Sequence, residues 1–362
     1  MCIVSSLDVG GAETFMMKLF RVLYAKCKFD FIVSKDNGVY EAEVESLGGK
    51  IYRVPLRTKH PIETFKKIEK IVKSNGYKKV LKLCDTPMGF FDLLAAKIGG
   101  ADRVCVRSCN AYSEESKLQH IIYAILRPLF NNTANLKIAP SKLAAEYTFG
   151  KNAVEQKDVY FLHNAIDLKK YSYQEQGREK IRKEFNLLPT QLIVGHIGRF
   201  NYQKNHDFLL EIFADIIQKR PDAILFLVGE GEKKQDLVKK AEKLGLEKSV
   251  IFAGIRMDIP EVLSAMDIFI FPSFYEGMPN TIIEAQACGL PCVLSDSITK
   301  EAKITELLTY ISLDENSKIW CDVALEKVSQ YRKDTKENLS LAGYDIEKVS
   351  LEFLGLFFNE GV

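Results

Sequence analysis

Apolar residues fall in short blocks along this chain, and the blocks alternate with longer segments of helical period. In the first half, β-rich runs lie at Cys2–Ser5, Phe29–Val33, Lys50–Val54, Val80–Leu83, Arg103–Arg107, Lys137–Ala139 and Val159–Leu162. Helical spacing marks Ala12–Ala25, Pro61–Ser74, Gly89–Ile98 and Lys117–Leu129 between them. A polar, charged stretch at Lys169–Leu187 interrupts the alternation. Strand signals then restart at Leu192–Ile197, Ile224–Val228, Val250–Phe252, Ile268–Pro272 and Cys292–Leu294. Helices are predicted at His206–Lys219, Lys233–Leu244, Pro260–Ala265 and Asn280–Cys288, the last with a stop signal in Gly289 and Pro291. Alternation of this kind predicts an α/β fold with parallel sheets. Two halves of similar length predict two facing Rossmann-like lobes with a cleft between them: residues 1–168, residues 169–342, and a closing helix within 343–362.

Composition narrows the function classes. The chain has 362 residues, 47% hydrophobic and 27% charged, enough apolar material for two cores. Fifty basic against 48 acidic residues leave a net charge of +2, which gives nucleic-acid binding no support. The eight cysteines are scattered, with no disulfide framework. Cys105/Cys109 and Cys288/Cys292 lack the further ligands a zinc site needs, so thiols in a reducing cytoplasm are expected. Met1–Gly10 does not read as a signal peptide, and no apolar run is long enough to span a bilayer. Leu118–Phe130 reads either as a core-facing helix ended by Pro128 or as a helix touching a membrane surface.

Four stretches carry candidate chemistry. In FPSFYEGMPNTIIEAQACGLP, residues 271–291, a strand ends, a polar loop follows and a helix opens near Pro279. Glu276 in the loop and Glu284 in the helix are acceptors that can hold hydroxyls on one extended ligand, and the helix N-terminus suits a diphosphate. In HIGRFNYQKN, residues 196–205, Gly198 ends a strand, and Arg199 and Lys204 offer a fork and a point charge for phosphate oxygens. Such a clamp stabilises charge on a nucleotide leaving group. Gly229 and Gly231 follow the next strand and allow a tight turn there, without completing a dinucleotide fingerprint. Asp8–Glu13 places Gly10 and Gly11 at a strand-to-helix turn whose backbone N–H groups can meet phosphate. The chain contains no Asp-x-Asp for a divalent ion, no Walker lysine and no hydrolase elbow.

With Gly10-Gly11-Ala12-Glu13, Asn164–Asp167, Gly198-Arg199, Lys204-Asn205, Gly229-Glu230-Gly231 and the Glu-x7-Glu pair Glu276…Glu284, the chain resembles the family-four glycosyltransferases. Residues 295–306 resemble their bacterial capsular and exopolysaccharide branch. The resemblance implies the GT-B fold and retaining, metal-independent transfer, with a nucleotide sugar, UDP-linked by family weight, as co-substrate and no resident cofactor. It implies that Arg199 and Lys204 bind the donor diphosphate, Glu276 the sugar and Glu284 the ribose. Gly198, Gly229 and Gly277, Met278, Pro279, Asn280 and Thr281 would line the donor site, with Gly10 and Gly11 approaching from the other lobe. The acceptor would be a glycan or a lipid-linked sugar, met at the inner face of the cytoplasmic membrane. Where relatives carry a His-containing acceptor stretch, this chain reads Arg107-Ser108-Cys109-Asn110. His163 and His196 are expected to be structural. A sugar-nucleotide epimerase of the same architecture and a catalytically silent nucleotide-sugar binder are the rival readings.

Overall fold

The computed structural model describes residues 1–8, 10–84, 86–109, 116–328 and 332–358. The chain divides into two compact units, Met1–Ile166 with Gly343–Val362, and Asp167–Ala342. The closing helix thus belongs to the first unit.

The first unit is built on seven parallel strands: β1 (Cys2–Ile3), β2 (Phe31–Val33), β3 (Ile51–Arg53), β4 (Lys79–Leu83), β5 (Arg103–Arg107), β6 (Leu136–Ala139) and β7 (Tyr160–Phe161). Their order is β3-β2-β1-β4-β5-β6-β7. Side chains alternate between two cores, as strand geometry requires. Phe31, Leu81 and Cys105 face one core, shared with helices Gly11–Leu23 and Ile346–Phe358. Ile32, Val80 and Val104 face the other, shared with helices Pro61–Asn75 and Phe90–Ile98.

The second unit has six parallel strands: β8 (Ile193–Ile197), β9 (Ile224–Val228), β10 (Val250–Phe252), β11 (Ile268–Phe271), β12 (Cys292–Ser295) and β13 (Leu308–Ile311). The order is β10-β9-β8-β11-β12-β13, the doubly wound Rossmann arrangement. Nearly every residue of β8, β9, β11 and β12 is buried, because helices cover both faces of the sheet. The sequence reading did not include β13 or the helices Glu41–Ser46, Lys142–Phe149, Lys151–Glu155, Ser317–Val328 and Lys336–Leu341.

The reading of a core-facing helix ended by Pro128 is corrected on both counts. The helix runs Lys117–Thr133, straight through Pro128. Pro128 sits on the solvent side, so water can satisfy the carbonyl its missing N–H leaves open. Only Tyr123 and Phe130 of the helix are buried. Leu118, Ile121, Ile122, Ile125 and Leu129 are exposed. Its start is fixed by a capping box, Ser116 Oγ accepting from the Gln119 N–H and the Gln119 side chain from the Ser116 N–H. Among the described residues no helix is long and apolar enough to cross a membrane.

Candidate functional site

In the second unit the chain leaves β8 toward β9 and leaves β11 toward β12, on opposite sides of the sheet. The carboxyl ends of β8 and β11 therefore flank the switch point, where doubly wound sheets bind ligands. The loops after these strands, 198–205 and 272–279, are the two stretches that carry the candidate cations and carboxylates.

These loops are joined to each other. The Phe274 N–H donates to Gln203 O at 2.9 Å, and Gln203 Nε2 donates to Tyr275 O at 2.9 Å. Asn205 Nδ2 donates to Pro272 O at 3.1 Å. The Tyr202 and Phe274 rings stack at 4.7 Å. Asn205 has a φ of +53°, a left-handed conformation that asparagine tolerates, and turns the chain into helix His206–Lys219. These contacts deliver Lys204 Nζ to Glu276 Oε1 at 2.6 Å. The two side chains are 16% and 9% exposed. The candidate cation and the candidate carboxylate thus form one ion pair.

Glycine shapes the rim beside the pair. Gly229 has a φ of +139°, and a Cβ there would lie 2.1 Å from Gly198 O. The Gly198 N–H donates to Val228 O and the Phe200 N–H to Glu230 O, each at 3.0 Å. The backbone after β8 thus lies directly on the backbone after β9, an approach a side chain at Gly229 would block. At Gly198 a Cβ would meet Lys204 Cε at 3.1 Å, so the lysine stem runs over this glycine. Arg199 is exposed, and its guanidinium makes no ion pair among the described residues.

Two imidazoles lie beneath Lys204. His196 is fully buried, stacks on Phe271 at 5.2 Å and meets the His206 ring at 4.4 Å. Its Nδ1 is 2.9 Å from Ile270 O, an oxygen that only accepts, so Nδ1 carries the proton and Nε2 a lone pair. Burial, reinforced by the charge on Lys204, lowers the His206 pKa to about 3. Burial first, and then His206, holds His196 well below the usual imidazole range. Both rings are neutral at physiological pH, so they add no charge against an approaching cation or anion. The expectation that His196 is structural matches this placement. His206 and Gln203 were missed, and Asn205 was singled out in the sequence without its loop-joining role.

Helix Asn280–Ala287 opens after Pro279, which offers no side-chain cap to the first turn. Gly277, Met278, Asn280 and Thr281 are half-buried around this start, and Met278 packs on the core. Glu284 is buried, at 9% exposure.

In the first unit, Gly10 is the extended N-cap of helix Gly11–Leu23. The Glu13 carboxylate folds back over it, so that a Cβ on Gly10 would meet Glu13 Oε2 at 2.3 Å. A phosphate arriving at Gly10 and Gly11 must displace that carboxylate. The candidate acceptor residue Arg107 is corrected. It is fully buried, its guanidinium lies 3.8 Å over the Phe15 ring, and Nη2 donates to Asn164 Oδ1 at 2.5 Å. Burial lowers its pKa to about 10. It fixes β5 to the segment after β7 and cannot also reach an acceptor. The Cys109 thiol donates to Arg107 O at 3.5 Å. Asn110, like Val9 of the Gly10 turn, lies outside the described residues. His163 stacks on Tyr344 at 4.6 Å, holding the returning segment of the chain.

A family model described as Glycosyl transferases group 1 matches residues 177–307, which hold Arg199, Lys204, Glu276 and Glu284. EpsF of Bacillus subtilis (strain 168), named as a glycosyltransferase, is 32% identical over 359 residues, covering 96% of this chain and 92% of EpsF. The chain belongs to the group 1 glycosyltransferases. A second relative of this glycosyltransferase is the Escherichia coli UDP-Gal:alpha-D-GlcNAc-diphosphoundecaprenol alpha-1,3-galactosyltransferase. It is 28% identical over 233 residues, 63% of this chain and 60% of that enzyme. Among solved structures, Anabaena Alr3699/HepE in complex with UDP superposes with a TM-score of 0.76 at 20% identity, covering 97% of each chain. The fold of this glycosyltransferase is therefore the GT-B type. Membership makes it a transferase rather than an epimerase.

Proposed function

We propose that this glycosyltransferase moves a sugar from a UDP-sugar to a lipid-linked or polysaccharide acceptor, with retention of anomeric configuration and without a metal ion or resident cofactor. The observation that carries the reading is the meeting of Lys204 and Glu276, on the same loops as exposed Arg199, at the switch point of the second unit. Arg199 and Lys204 supply two positive charges where a divalent ion would otherwise neutralise a diphosphate. The UDP named with HepE and the UDP-Gal named for the E. coli relative support the donor choice. The diphosphoundecaprenol in that relative's name supports a lipid-linked acceptor.

In this mechanism the bond between the anomeric carbon and the diphosphate oxygen breaks, and its electron pair leaves with UDP. Arg199 and Lys204 stabilise the charge that develops there. The acceptor hydroxyl oxygen bonds to the anomeric carbon on the same face. Its proton passes to a diphosphate oxygen, so no protein base is required. Glu276, released from Lys204, accepts from sugar hydroxyls, and Glu284 from the ribose.

The exposed apolar row of helix Lys117–Thr133, with Lys117 at its start, fits adsorption to an anionic membrane surface at the inner face of the cytoplasmic membrane. Transfer from radiolabelled UDP-sugars onto lipid-linked and soluble glycan acceptors tests the reading. Wild-type transfer with large losses in Arg199→Ala and Lys204→Ala is expected. Full activity in both variants removes the clamp, and donor binding without turnover across acceptors favours a silent binder.

A further inference from the structure

The carboxyl edge of the first unit's sheet carries a cavity that the donor chemistry does not use. It lies between the segment after β3, the start of helix Pro61–Asn75 and the turn Pro87–Gly89 that leads into helix Phe90–Ile98. Its volume is about 600 Å³, within the range that holds small ligands. Ile62, Phe65, Met88 and Phe91 make its wall apolar. Ile62 is 71% exposed and Phe91 37%, so apolar surface is left open to water here.

A charge imbalance borders this wall. Arg57, which lines the cavity, donates through Nη1 to Asp92 Oδ1 at 2.9 Å and to Met88 O at 2.8 Å. Lys82 Nζ lies 3.0 Å from Asp92 Oδ2, the other oxygen of the same carboxylate. Lys82 and Asp92 are 7% and 5% exposed. Among the described residues neither cation has a second carboxylate. Among the described residues two cations thus share one anion, Lys82 and Asp92 lying buried behind an Arg57 side chain that is 29% exposed, and an incoming anion is favoured at the arginine. Lys66 and Glu69, also on the lining, offset each other in charge.

An apolar wall beside an unbalanced cation selects a molecule with both features. A free phosphate leaves the wall wet, and a neutral hydrocarbon leaves the cation unanswered. We infer that this cavity takes the first isoprene units of a prenyl diphosphate-linked acceptor, with a phosphate at Arg57 and the Lys82–Asp92 pair behind it. This inference rests on the lipid-linked acceptor of the proposed function. Helix Lys117–Thr133 packs on both the Pro87–Gly89 turn and helix Phe90–Ile98, so a membrane-adsorbed helix would bring a prenyl chain close to the cavity.

The test is photolabelling of the full chain with a diazirine-bearing farnesyl diphosphate, followed by peptide mapping. Label is expected in residues 57–69 and 87–91. Unlabelled farnesyl diphosphate should compete at least about tenfold better than inorganic pyrophosphate or farnesol, a difference of about 1.4 kcal/mol. Ile62→Asp alters an exposed side chain, and Arg57→Gln leaves Lys82 and Asp92 as a balanced pair, so both variants should fold. Each should lower labelling at least about fivefold, near 1 kcal/mol, with UDP-sugar binding unchanged. Labelling elsewhere, or variants that label like wild type, overturns the cavity assignment. Parallel transfer assays separate the two layers. If wild type and Ile62→Asp glycosylate a lipid-linked acceptor equally, the cavity assignment fails and the acceptor reading stands. If only soluble glycans are glycosylated, the acceptor reading fails and the assigned ligand goes with it.

Discussion

Replacing Lys204 by Met tests how much the Lys204–Glu276 ion pair contributes to the stability of the second unit. Lys204 Nζ and Glu276 Oε1 are 2.6 Å apart, with side chains 16% and 9% exposed. At an effective dielectric constant of about 20 the attraction at that distance is about 6 kcal/mol, most of it offset by desolvation. Lys204→Met leaves a poorly solvated carboxylate with no cation, which costs about 3 kcal/mol, the low end for a pair broken from one side. An exposed pair would cost under about 1 kcal/mol. Glu276→Gln strands the lysine in the same way. The double variant removes both charges and should cost no more than either single change, about 3 kcal/mol, giving a coupling energy of about 3 kcal/mol. Urea unfolding of the four proteins reads this directly. Activity should behave differently: each single change should lower kcat/KM about 10²–10³-fold, and the double change should restore nothing. Stability losses that simply add, or a Lys204→Met protein as stable as wild type, would refute the pairing argument.

Gly229→Ala should lower stability by about 1–3 kcal/mol, because its Cβ would meet Gly198 O at 2.1 Å and the φ of +139° disfavours a side chain; a thermal melt within a degree of wild type contradicts this. His206, with its pKa lowered to about 3, favours folding above the unfolded imidazole's pKa. As pH falls from about 6.5 toward 3, the unfolded chain binds the extra proton and stability drops by up to about 1.4 kcal/mol per pH unit from this residue. His206→Phe should flatten that slope in urea titrations at pH 7, 6 and 5, and an unchanged slope rejects the assignment. Ile121→Asp with Ile125→Asp changes two exposed residues of helix Lys117–Thr133 and should leave the melting temperature unchanged. It should also abolish co-flotation with vesicles rich in phosphatidylglycerol, and flotation at the wild-type level argues against membrane contact through this helix.

The second unit was the more legible half. β9, β10 and helix His206–Lys219 coincide with the sequence reading; β9 is a fully buried parallel strand, and both strands are continuous apolar runs flanked by turn residues. β13, four residues with half-buried Thr309 and Tyr310, lacks such a run and stayed hidden. The helix through Pro128 was cut short because proline usually stops a helix, and sequence alone does not say which side faces water. At the site, Lys204 and Glu276 were singled out from residue type and position at strand ends. Their pairing was not visible, since it depends on contacts made by Gln203, Asn205 and Tyr202 across 70 or so positions. Arg107 was misread because an arginine at a strand end resembles a ligand-binding cation, and only packing reveals the Phe15 ring against it.

The return of helix Ile346–Phe358 to the first unit has a consequence for biosynthesis. Phe353 and Phe357 close over Phe20 and Phe29, and Arg103 Nη2 donates to Leu356 O at 2.8 Å. Residues 1–166 therefore wait for residues 346–358 to leave the ribosome before their interior is sealed. The second unit, one uninterrupted stretch, has no such wait. Nascent chains stalled near residue 342 should expose an unfinished apolar face and be the form that chaperones hold.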